Sequence, residues 1–357
     1  MTAEPIGVVL LGFGRVGRGV MELALTRPWL QVRGVIARSP EHEGRRVADA
    51  VPGAPADLRV STDVVGTLAA ARPEVVIVAT RSRLADVRPT LELAAGSGAR
   101  AILCTAEELA YVRPGDGPDA DALLALPGAT GTAIVAAGVN PGFVLDLWPL
   151  VLSGLAWDVE RLTARRVVDV SVFAPHTRSQ LGIDHDPAAF AAGVAAGTIV
   201  GHLGFRESLR LLCGAMGRTP DRIEIETLPI VGSRRYDLAD GGVVGVGRTI
   251  GATQRAEAWV GGTPWISIEM LLHAAPAADG IRTTDETHLH GRHALHVTLD
   301  PGCGAILSTA ALLVNGIPGA LAARPGLYGP GDLPPSAPWL GSQPPTSTPS
   351  TRMETAR

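Results

Sequence analysis

The chain has 357 residues, 46% of them hydrophobic and 18% charged, which is enough apolar material for two domains with cores. Its formal net charge of −4 gives no general attraction to nucleic acid or to an anionic membrane. The start lacks a basic leader, and no uninterrupted apolar run approaches the ~20 residues of a membrane span. We therefore expect neither nucleic acid nor membrane as a partner.

The basic and sulfur-bearing residues restrict the chemistry further. All 31 basic residues are arginine, whose pKa stays above ~12, so no lysine can act as a nucleophile or general acid. Proton transfer near neutral pH must then use carboxylates, histidine, tyrosine or cysteine. The 3 cysteines are an odd count without metal-type spacing, which favours a reducing cytoplasm.

The first predicted strand, residues 6–11, leads into a glycine motif and then into a predicted helix. A G-x-G-x-x-G motif in this context is typical of dinucleotide binding: the first glycine permits a tight turn, the second admits a pyrophosphate, and the third lets helix and strand pack closely. The N-terminus of the helix supplies N–H donors to the phosphates. The residues of the predicted cofactor turn are Gly12, Phe13, Gly14, Arg15, Val16 and Gly17.

The residues after the second predicted strand, 31–37, indicate which dinucleotide is used. NAD-specific sites place an acid about 20 residues after the glycines, on the ribose hydroxyls. Here Arg38 and Ser39 stand in that place, and Arg38 could pair with a 2′-phosphate. We expect NADP, with NAD also accepted; the alternative is that Arg38 is only a solvated turn residue.

Polar residues follow the next predicted strands, 74–80 and 101–104. Thr80 and Arg81 are expected beside the cofactor, and Glu107 and Glu108 stand where the later strand ends. Ligands of open α/β sheets bind in the crevice outside the carboxyl ends of the strands, so these acids are candidate proton carriers. The alternative is an exposed acidic pair at the start of a helix.

A last predicted strand of this half, 133–137, runs into a turn that contains Asn140 and Pro141. It ends at the same edge of the sheet, so we expect both residues to contact the cofactor. The alternative is a simple connection between domains.

The second half has a different pattern. A polar loop is predicted at 173–182, helices at 188–196 and 204–216, and strands at 223–228, 243–258 and 265–273. Consecutive strands without intervening helices indicate a mostly antiparallel sheet. The predicted fold class is therefore α/β: a Rossmann dinucleotide-binding domain followed by an α+β domain.

Four histidines, His288, His290, His293 and His296, are close together in the sequence. His288 and His290 share one face of a strand, and His293 is out of step with them. Because metal binding requires converging ligands, we expect a solvated sheet face or a subunit contact here and no metal.

The domain limits follow from these patterns. We predict a Rossmann domain at 1–145, a substrate and dimerisation domain at 146–303, and a helix at 304–330. Residues 331–357 are rich in Pro, Ser and Thr and are expected to be disordered or to lie loosely on the surface.

Several of these motifs together resemble the 2,4-diaminopentanoate dehydrogenase and native amine dehydrogenase family, which is related to dihydrodipicolinate reductase. The motifs are 12–17, Thr-Ala-Glu-Glu-Leu-Ala-Tyr at 105–111, Gly-Val-Asn-Pro-Gly-Phe at 138–143, and the segments 201–208 and 309–318. The resemblance implies that the second domain covers the nicotinamide end of the cofactor, contributes substrate contacts and forms a homodimer interface, and that the 304–330 helix returns to pack on the first domain. On that basis we expect Phe143, His176 and Arg178 to contact substrate; His176 and Arg178 could instead belong to an ordinary surface loop.

The resemblance implies reversible reductive amination of a ketone or aldehyde with ammonia. Related two-domain dehydrogenases place a catalytic lysine three residues beyond a motif threonine, and the same count from Thr105 reaches Glu108. We predict Glu108 as the acid–base residue and Glu107 as a substrate-pocket carboxylate, with the reverse assignment left open. The alternatives are a dehydrogenase of hydroxy compounds and a non-catalytic dinucleotide-binding protein.

Overall fold

A computed structural model describes residues 4–238 and 240–345. The chain divides into two compact units: the first contains Met1–Gly142 and Ile306–Arg357, and the second contains Phe143–Ala305. The strands, in chain order, are β1 (Ile6–Leu11), β2 (Leu30–Ile36), β3 (Val60–Ser61), β4 (Val75–Val78), β5 (Ala101–Cys104), β6 (Ala133–Ala136), β7 (Arg161–Asp169), β8 (Arg222–Val231), β9 (Tyr236–Asp237), β10 (Val243–Val244), β11 (Thr249–Val260), β12 (Thr263–His273), β13 (Asp285–His290), β14 (Leu295–Leu299) and β15 (Gly326–Tyr328).

The helices of this structure are α1 (Arg15–Leu25), α2 (Val64–Ala71), α3 (Leu84–Gly96), α4 (Pro118–Thr130), α5 (Leu147–Ser153), α6 (Pro175–Gln180), α7 (Pro187–Ala195), α8 (Phe205–Ala215) and α9 (Ala305–Ala322).

The first unit is built on a parallel sheet of 7 strands in the order β15-β6-β5-β4-β1-β2-β3. Successive apolar side chains point to opposite faces of each strand, so both faces need cover. On one face Leu10 and Leu103 belong to a core with residues of α1 and α9. On the other, Val9 and Ile102 belong to a core with residues of α2, α3 and α4. The predicted Rossmann fold is confirmed.

Helix α9 completes the first unit although it comes late in the sequence. It is long and apolar enough to cross a membrane by length and composition alone. Its residues Leu313, Val314 and Ile317 are nevertheless fully buried in the core beside α1. This is the packing of a core helix, and the helix ends at Ala322, within the predicted segment 304–330. Strand β15, which the sequence did not predict, follows it and pairs with β6.

The second unit contains a sheet of 6 strands in the order β14-β13-β7-β12-β11-β8. Only β7 and β12 pair in parallel, so the prediction of a mostly antiparallel sheet is confirmed. Helices α7 and α8 pack against β8 and β11. Strands β13 and β14 form a hairpin whose outer strand, β14, is one edge of the sheet.

Two predictions of local structure in this unit are wrong. Residues 243–258 are not one strand: β10 pairs with β9, and β11 begins only at Thr249, because Gly247 adopts a φ of +76° that interrupts the extended chain. The segment 173–182 is not a loop throughout, since it contains α6, which starts at Pro175. Proline is favoured in the first turn of a helix.

Residues 331–345 form neither helix nor strand, and most of them are exposed. One anchor is the indole N–H of Trp29, which donates a hydrogen bond of 3.1 Å to the carbonyl oxygen of Trp339. The remainder of the predicted tail, 346–357, lies outside the described residues.

Candidate functional site

The glycine motif forms a tight turn between β1 and α1. Gly12 has a φ of +105°, and a Cβ on it would overlap the carbonyl oxygen of Ala79. A Cβ on Gly17 would overlap the carbonyl oxygen of Gly12, so the turn and the helix touch through backbone. Gly14 differs, because a Cβ there would meet nothing within 4 Å. Gly12 and Gly17 thus close the turn, and Gly14 leaves open space in front of the helix.

The start of α1 is suited to an anion. Gly14 occupies the N-cap without a side-chain hydrogen bond, and the first turn contains no acidic residue. The first N–H groups of a helix have no partner within the helix, and the helix dipole favours negative charge there. The open space and these donors fit the pyrophosphate of a dinucleotide. The predicted role of the turn is thus physically consistent with the structure.

The segment after β2 presents an unpaired cation. Arg38 is exposed and has no ion-pair partner among residues 4–238 and 240–345. Nearby, Arg46 pairs with Asp49 at 2.8 Å, and Glu43 accepts hydrogen bonds from the N–H and the hydroxyl of Thr62. Arg38 is therefore available to an anionic ligand, whereas its charged neighbours Arg46 and Glu43 are engaged.

The end of β4 lies beside the glycine turn. The Thr80 methyl is 3.1 Å from the position of a Cβ on Gly12, so it lines that turn. Arg81 is exposed and has no ion-pair partner within the described ranges. Ser82, which the sequence places at the same strand end as Thr80 and Arg81, contacts both glutamates. Its carbonyl oxygen accepts the N–H of Glu108 at 3.1 Å, and its side chain is hydrogen-bonded to Glu107.

Glu107 is the first residue of a short 3₁₀-helix that follows β5. Burial raises the pKa of its carboxyl group, and the neighbouring charge of Glu108 raises it further. The hydrogen bonds with Ser82 and with the backbone N–H of Glu107 itself oppose this shift without cancelling it. Glu107 is thus an acid whose proton affinity the fold has increased.

Glu108 has a different environment. Its Oε2 accepts the backbone N–H of Leu84 at 2.9 Å, at the start of α3, and its Oε1 is 3.7 Å from Nη1 of Arg83. Both contacts place the carboxylate at the N-terminus of a helix, where its oxygen caps a backbone N–H that has no partner within the helix. Glu108 therefore ties the 3₁₀-helix after β5 to α3.

The turn after β6 reaches the same edge of the sheet, because β6 is the neighbour of β5. The Asn140–Pro141 peptide is cis, and Gly142 has a φ of +137°. A Cβ on Gly142 would overlap the carbonyl oxygen of Gly138, so the turn is closed by backbone contact. The structure thus brings the ends of β1, β4, β5 and β6, with their predicted residues, to one edge of one sheet.

The residues predicted to contact substrate in the second unit do not share one environment. Arg178 is buried and donates hydrogen bonds from Nη1 to the carbonyl oxygens of Ser171 (3.1 Å) and Phe173 (2.8 Å), and from Nη2 to Asp240 (2.6 Å). These bonds hold the start of α6 in place. His176 is exposed on the same helix. Their contact with substrate stays a prediction.

Phe143 is only partly buried, and its ring stacks on Trp148 with centroids 6.0 Å apart. Its contact with substrate also stays a prediction.

The second unit also buries polar groups that the sequence did not single out. Arg166 and Asp285 are each 2% exposed, their side chains are 3.8 Å apart, and Arg166 donates to the carbonyl oxygen of Cys303. Burial lowers the pKa of His202 to about 4, so its ring is neutral at pH 7. The sequence did contain a signal for the buried Arg166–Asp285 pair, because Arg166 interrupts an otherwise apolar alternation in β7.

A further buried histidine lies at the end of β12. The Nδ1 of His273 accepts the N–H of Ala275 at 3.0 Å, and its Nε2 is 3.1 Å from Asp279. The hydroxyl of Tyr236 donates to the same carboxylate at 2.9 Å. These contacts fix one neutral tautomer, with the proton on Nε2.

Comparison with known proteins decides the family. The family model described as the 2,4-diaminopentanoate dehydrogenase C-terminal domain matches residues 143–346, more than half of the chain. The chain belongs to this family. The resemblance inferred from the motifs is confirmed.

The similar proteins cover almost the whole chain. The 2,4-diaminopentanoate dehydrogenase of Acetoanaerobium sticklandii is 26% identical over 339 residues, covering 93% of this chain and 94% of that protein. An amine dehydrogenase of Streptomyces virginiae is 26% identical over 367 positions, covering 92% and 96%. The structure of an amine dehydrogenase from Mycobacterium smegmatis superposes with a TM-score of 0.84 at 23% identity, covering 94% and 98%. The superposition on the Mycobacterium smegmatis structure establishes the fold of this chain.

Proposed function

We propose that this member of the 2,4-diaminopentanoate dehydrogenase family is an NAD(P)-dependent amine dehydrogenase. It would catalyse the reversible reductive amination of a ketone or aldehyde with ammonia. The observation that carries this proposal is the partly buried Glu107, whose raised pKa suits proton exchange with an amine, at the same sheet edge as the dinucleotide-type glycine turn. The names of the two curated relatives support an oxidoreductase that acts on CH–NH₂ donors.

The residues of the first unit fit a dinucleotide. The N–H groups at the start of α1 would bind the pyrophosphate in the space that Gly14 leaves open. Arg38 would pair with a 2′-phosphate, so we propose NADP as the preferred cofactor, with NAD also accepted. Bound there, the dinucleotide supplies or accepts the hydride of the reaction.

We assign proton transfer to Glu107, whereas the sequence favoured Glu108. Ammonia and a carbonyl compound form a carbinolamine, which loses water to give an iminium ion. Glu107 would accept a proton from the nitrogen, return one to the leaving hydroxyl, and stabilise the cationic iminium as a carboxylate. Glu108 is already held by Leu84 and Arg83, so it serves as a positioning residue for the 3₁₀-helix.

The absence of lysine from the chain agrees with this chemistry. An ammonium group beside the iminium would repel it, whereas a carboxylate attracts it. The substrate itself is a small carbonyl compound or, in reverse, an amine. A mostly apolar ketone or aldehyde and 2-amino-4-oxopentanoate are both candidates.

The cellular location and the oligomeric state of the protein are also proposals. The 3 cysteines Cys104, Cys213 and Cys303 are all free, which supports a cytoplasmic location. Thiol titration after isolation under non-reducing conditions tests this location, and a disulfide would count against it.

A sheet-bearing second unit supports a homodimer, which sedimentation velocity would detect as twice the chain mass of 36.9 kDa.

The two glutamates provide the test of the mechanism. We expect Glu107→Gln to lower the rate of ammonia-dependent NADPH oxidation by about 10²–10⁴, because an amide cannot exchange the proton. Glu108→Gln should retain most of the rate, since its contacts are structural. The measurement is a screen over short ketones and aldehydes, with NADPH binding followed by fluorescence to show that each variant retains its cofactor.

Each result that would contradict the proposed mechanism has its own interpretation. Loss of activity in Glu108→Gln alone would return the acid–base role to Glu108. Full activity in both variants would refute the carboxylate mechanism. Carbonyl reduction that does not depend on ammonia would indicate a dehydrogenase of hydroxy compounds, and NADPH binding without any turnover would indicate a non-catalytic protein.

A further inference from the structure

The hairpin of β13 and β14 carries a group of polar side chains that the proposed reaction does not use. Pairing of the two strands sets His288 directly opposite His296. Their rings stack with centroids 3.6 Å apart. Glu286, two residues before His288, lies on the same face of β13, since side chains alternate along a strand. Its Oε2 is 3.8 Å from Nε2 of His288.

These three side chains converge to a degree that metal binding requires. One potential ligand atom from each of Glu286, His288 and His296 lies within 4.8 Å of the other two. A zinc ion about 2.0–2.2 Å from each donor would require separations of about 3.3 Å, which small side-chain rotations can provide. An ion could reach this group from solvent, because the side chains of His288 and Glu286 are 34% and 24% exposed and His296 is exposed.

The surroundings orient the carboxylate towards the histidines. Oε1 of Glu286 accepts a hydrogen bond of 2.9 Å from the hydroxyl of Thr284 and lies 3.8 Å from Nη1 of Arg165. The other oxygen, Oε2, is left facing His288. Outer contacts of this kind hold a ligating carboxylate in a productive orientation.

The types of side chain also suit a transition-metal ion. Imidazole and carboxylate together are ligands that Zn²⁺ and Cu²⁺ accept.

We propose that Glu286, His288 and His296 bind one divalent transition-metal ion of the Zn²⁺ class, with water completing the coordination. The site would join β13 to β14, the strand at the edge of the sheet. Its effect would be to stabilise the folded hairpin, independently of the reductive amination assigned to the first unit.

The histidine that lies outside the cluster supplies a matched control. His293 is exposed in the turn of the same hairpin and is not among the three converging residues. We expect the tag-free chain to bind one Zn²⁺ per chain by calorimetry at pH 7.5. His288→Gln and His296→Gln should weaken that binding at least about tenfold, and His293→Gln should leave it unchanged.

Spectroscopy and stability give independent measurements. Cu²⁺ bound to the unmodified chain should show an electron paramagnetic resonance spectrum with two nitrogen ligands, and one in either His288→Gln or His296→Gln. Zn²⁺ should raise the Tm of the unmodified chain and of His293→Gln, but not that of the two cluster variants. Equal Zn²⁺ affinity in all four proteins, or a Cu²⁺ spectrum without two nitrogens, would overturn the proposal.

Discussion

The carboxyl group of Glu107 has a pKa above its ordinary value because it is buried, and this has a consequence for stability. A group whose pKa is raised on folding stabilises the folded chain most when it is protonated. That contribution is complete below the ordinary glutamate pKa and is lost as the pH rises through the raised value. At neutral pH, where the glutamate of the unfolded chain is ionised, the raised pKa of Glu107 therefore opposes folding.

Glu107→Gln removes this ionisation, so we expect the variant to be more stable than the unmodified chain at neutral pH. The advantage should shrink as the pH falls through the raised pKa of Glu107, because the natural acid then becomes neutral too. Thermal unfolding between pH 5 and pH 8, in buffers of equal ionic strength, measures the difference.

Glu108→Gln is the control for this comparison. It weakens the contacts with Leu84 and Arg83, so it should lower stability at neutral pH. A Glu107→Gln variant that is less stable than the unmodified chain at every pH would show that its carboxylate is held by contacts stronger than its burial.

The two glutamates also show what a sequence can reveal at the scale of single residues. The strand end at Cys104 identified the pair as a candidate site. The sequence could not show which of the two carboxylates is better suited to proton transfer. The difference between them arises from contacts with the distant residues Ser82, Arg83 and Leu84. Those contacts depend on the pairing of β4 with β5, which adjacent residues do not encode.

At the scale of elements, the end of β2 makes the cofactor preference testable. Arg38→Ser should weaken NADPH binding at least about tenfold and change NADH binding little, because a charge-assisted contact with a 2′-phosphate contributes about 1.5–3 kcal/mol. Fluorescence titration with each dinucleotide measures both constants.

Arg46→Ser is the matched control for Arg38→Ser, since Arg46 is already paired with Asp49. It should leave both affinities unchanged. Equal weakening of NADPH and NADH binding by Arg38→Ser would contradict a 2′-phosphate contact and favour a general effect on the turn.

The elements themselves were predictable to different degrees. Strands β1, β4 and β5 are short apolar runs bounded by turn residues, so their positions could be predicted closely. Helix α6 was missed because 6 residues of mixed polarity have no helical periodicity, and it depends on the long-range bond from Arg178 to Asp240. The pairing of His288 with His296 was also missed, since the register of a hairpin is set by its turn.

At the scale of the whole molecule, the first unit is assembled from both ends of the chain. Residues 1–142 provide six strands and α1–α4, whereas α9 and β15 come from residue 305 onwards. Without α9, the core that contains Leu10 and Leu103 would lose part of its cover on one face of the sheet. The second unit is in effect an insertion within the first.

We therefore expect the fragment 1–142 to lack a cooperative thermal transition, because burial of a continuous apolar face dominates the stability of such a sheet. A fusion of 1–142 to 306–345 through a flexible linker should regain it. Circular dichroism melts and the dispersion of amide resonances distinguish the two. A native-like spectrum from 1–142 alone would contradict this account of α9.

The late position of α9 also bears on synthesis. As the chain leaves the ribosome, six of the seven strands of the first sheet emerge well before α9, which helps to cover one of their faces. At roughly 5–20 residues per second, the interval is on the order of ten seconds or more. Throughout that time an apolar surface is open to chaperones and to neighbouring nascent chains, so slowing or speeding translation across the central segment would alter how much protein matures.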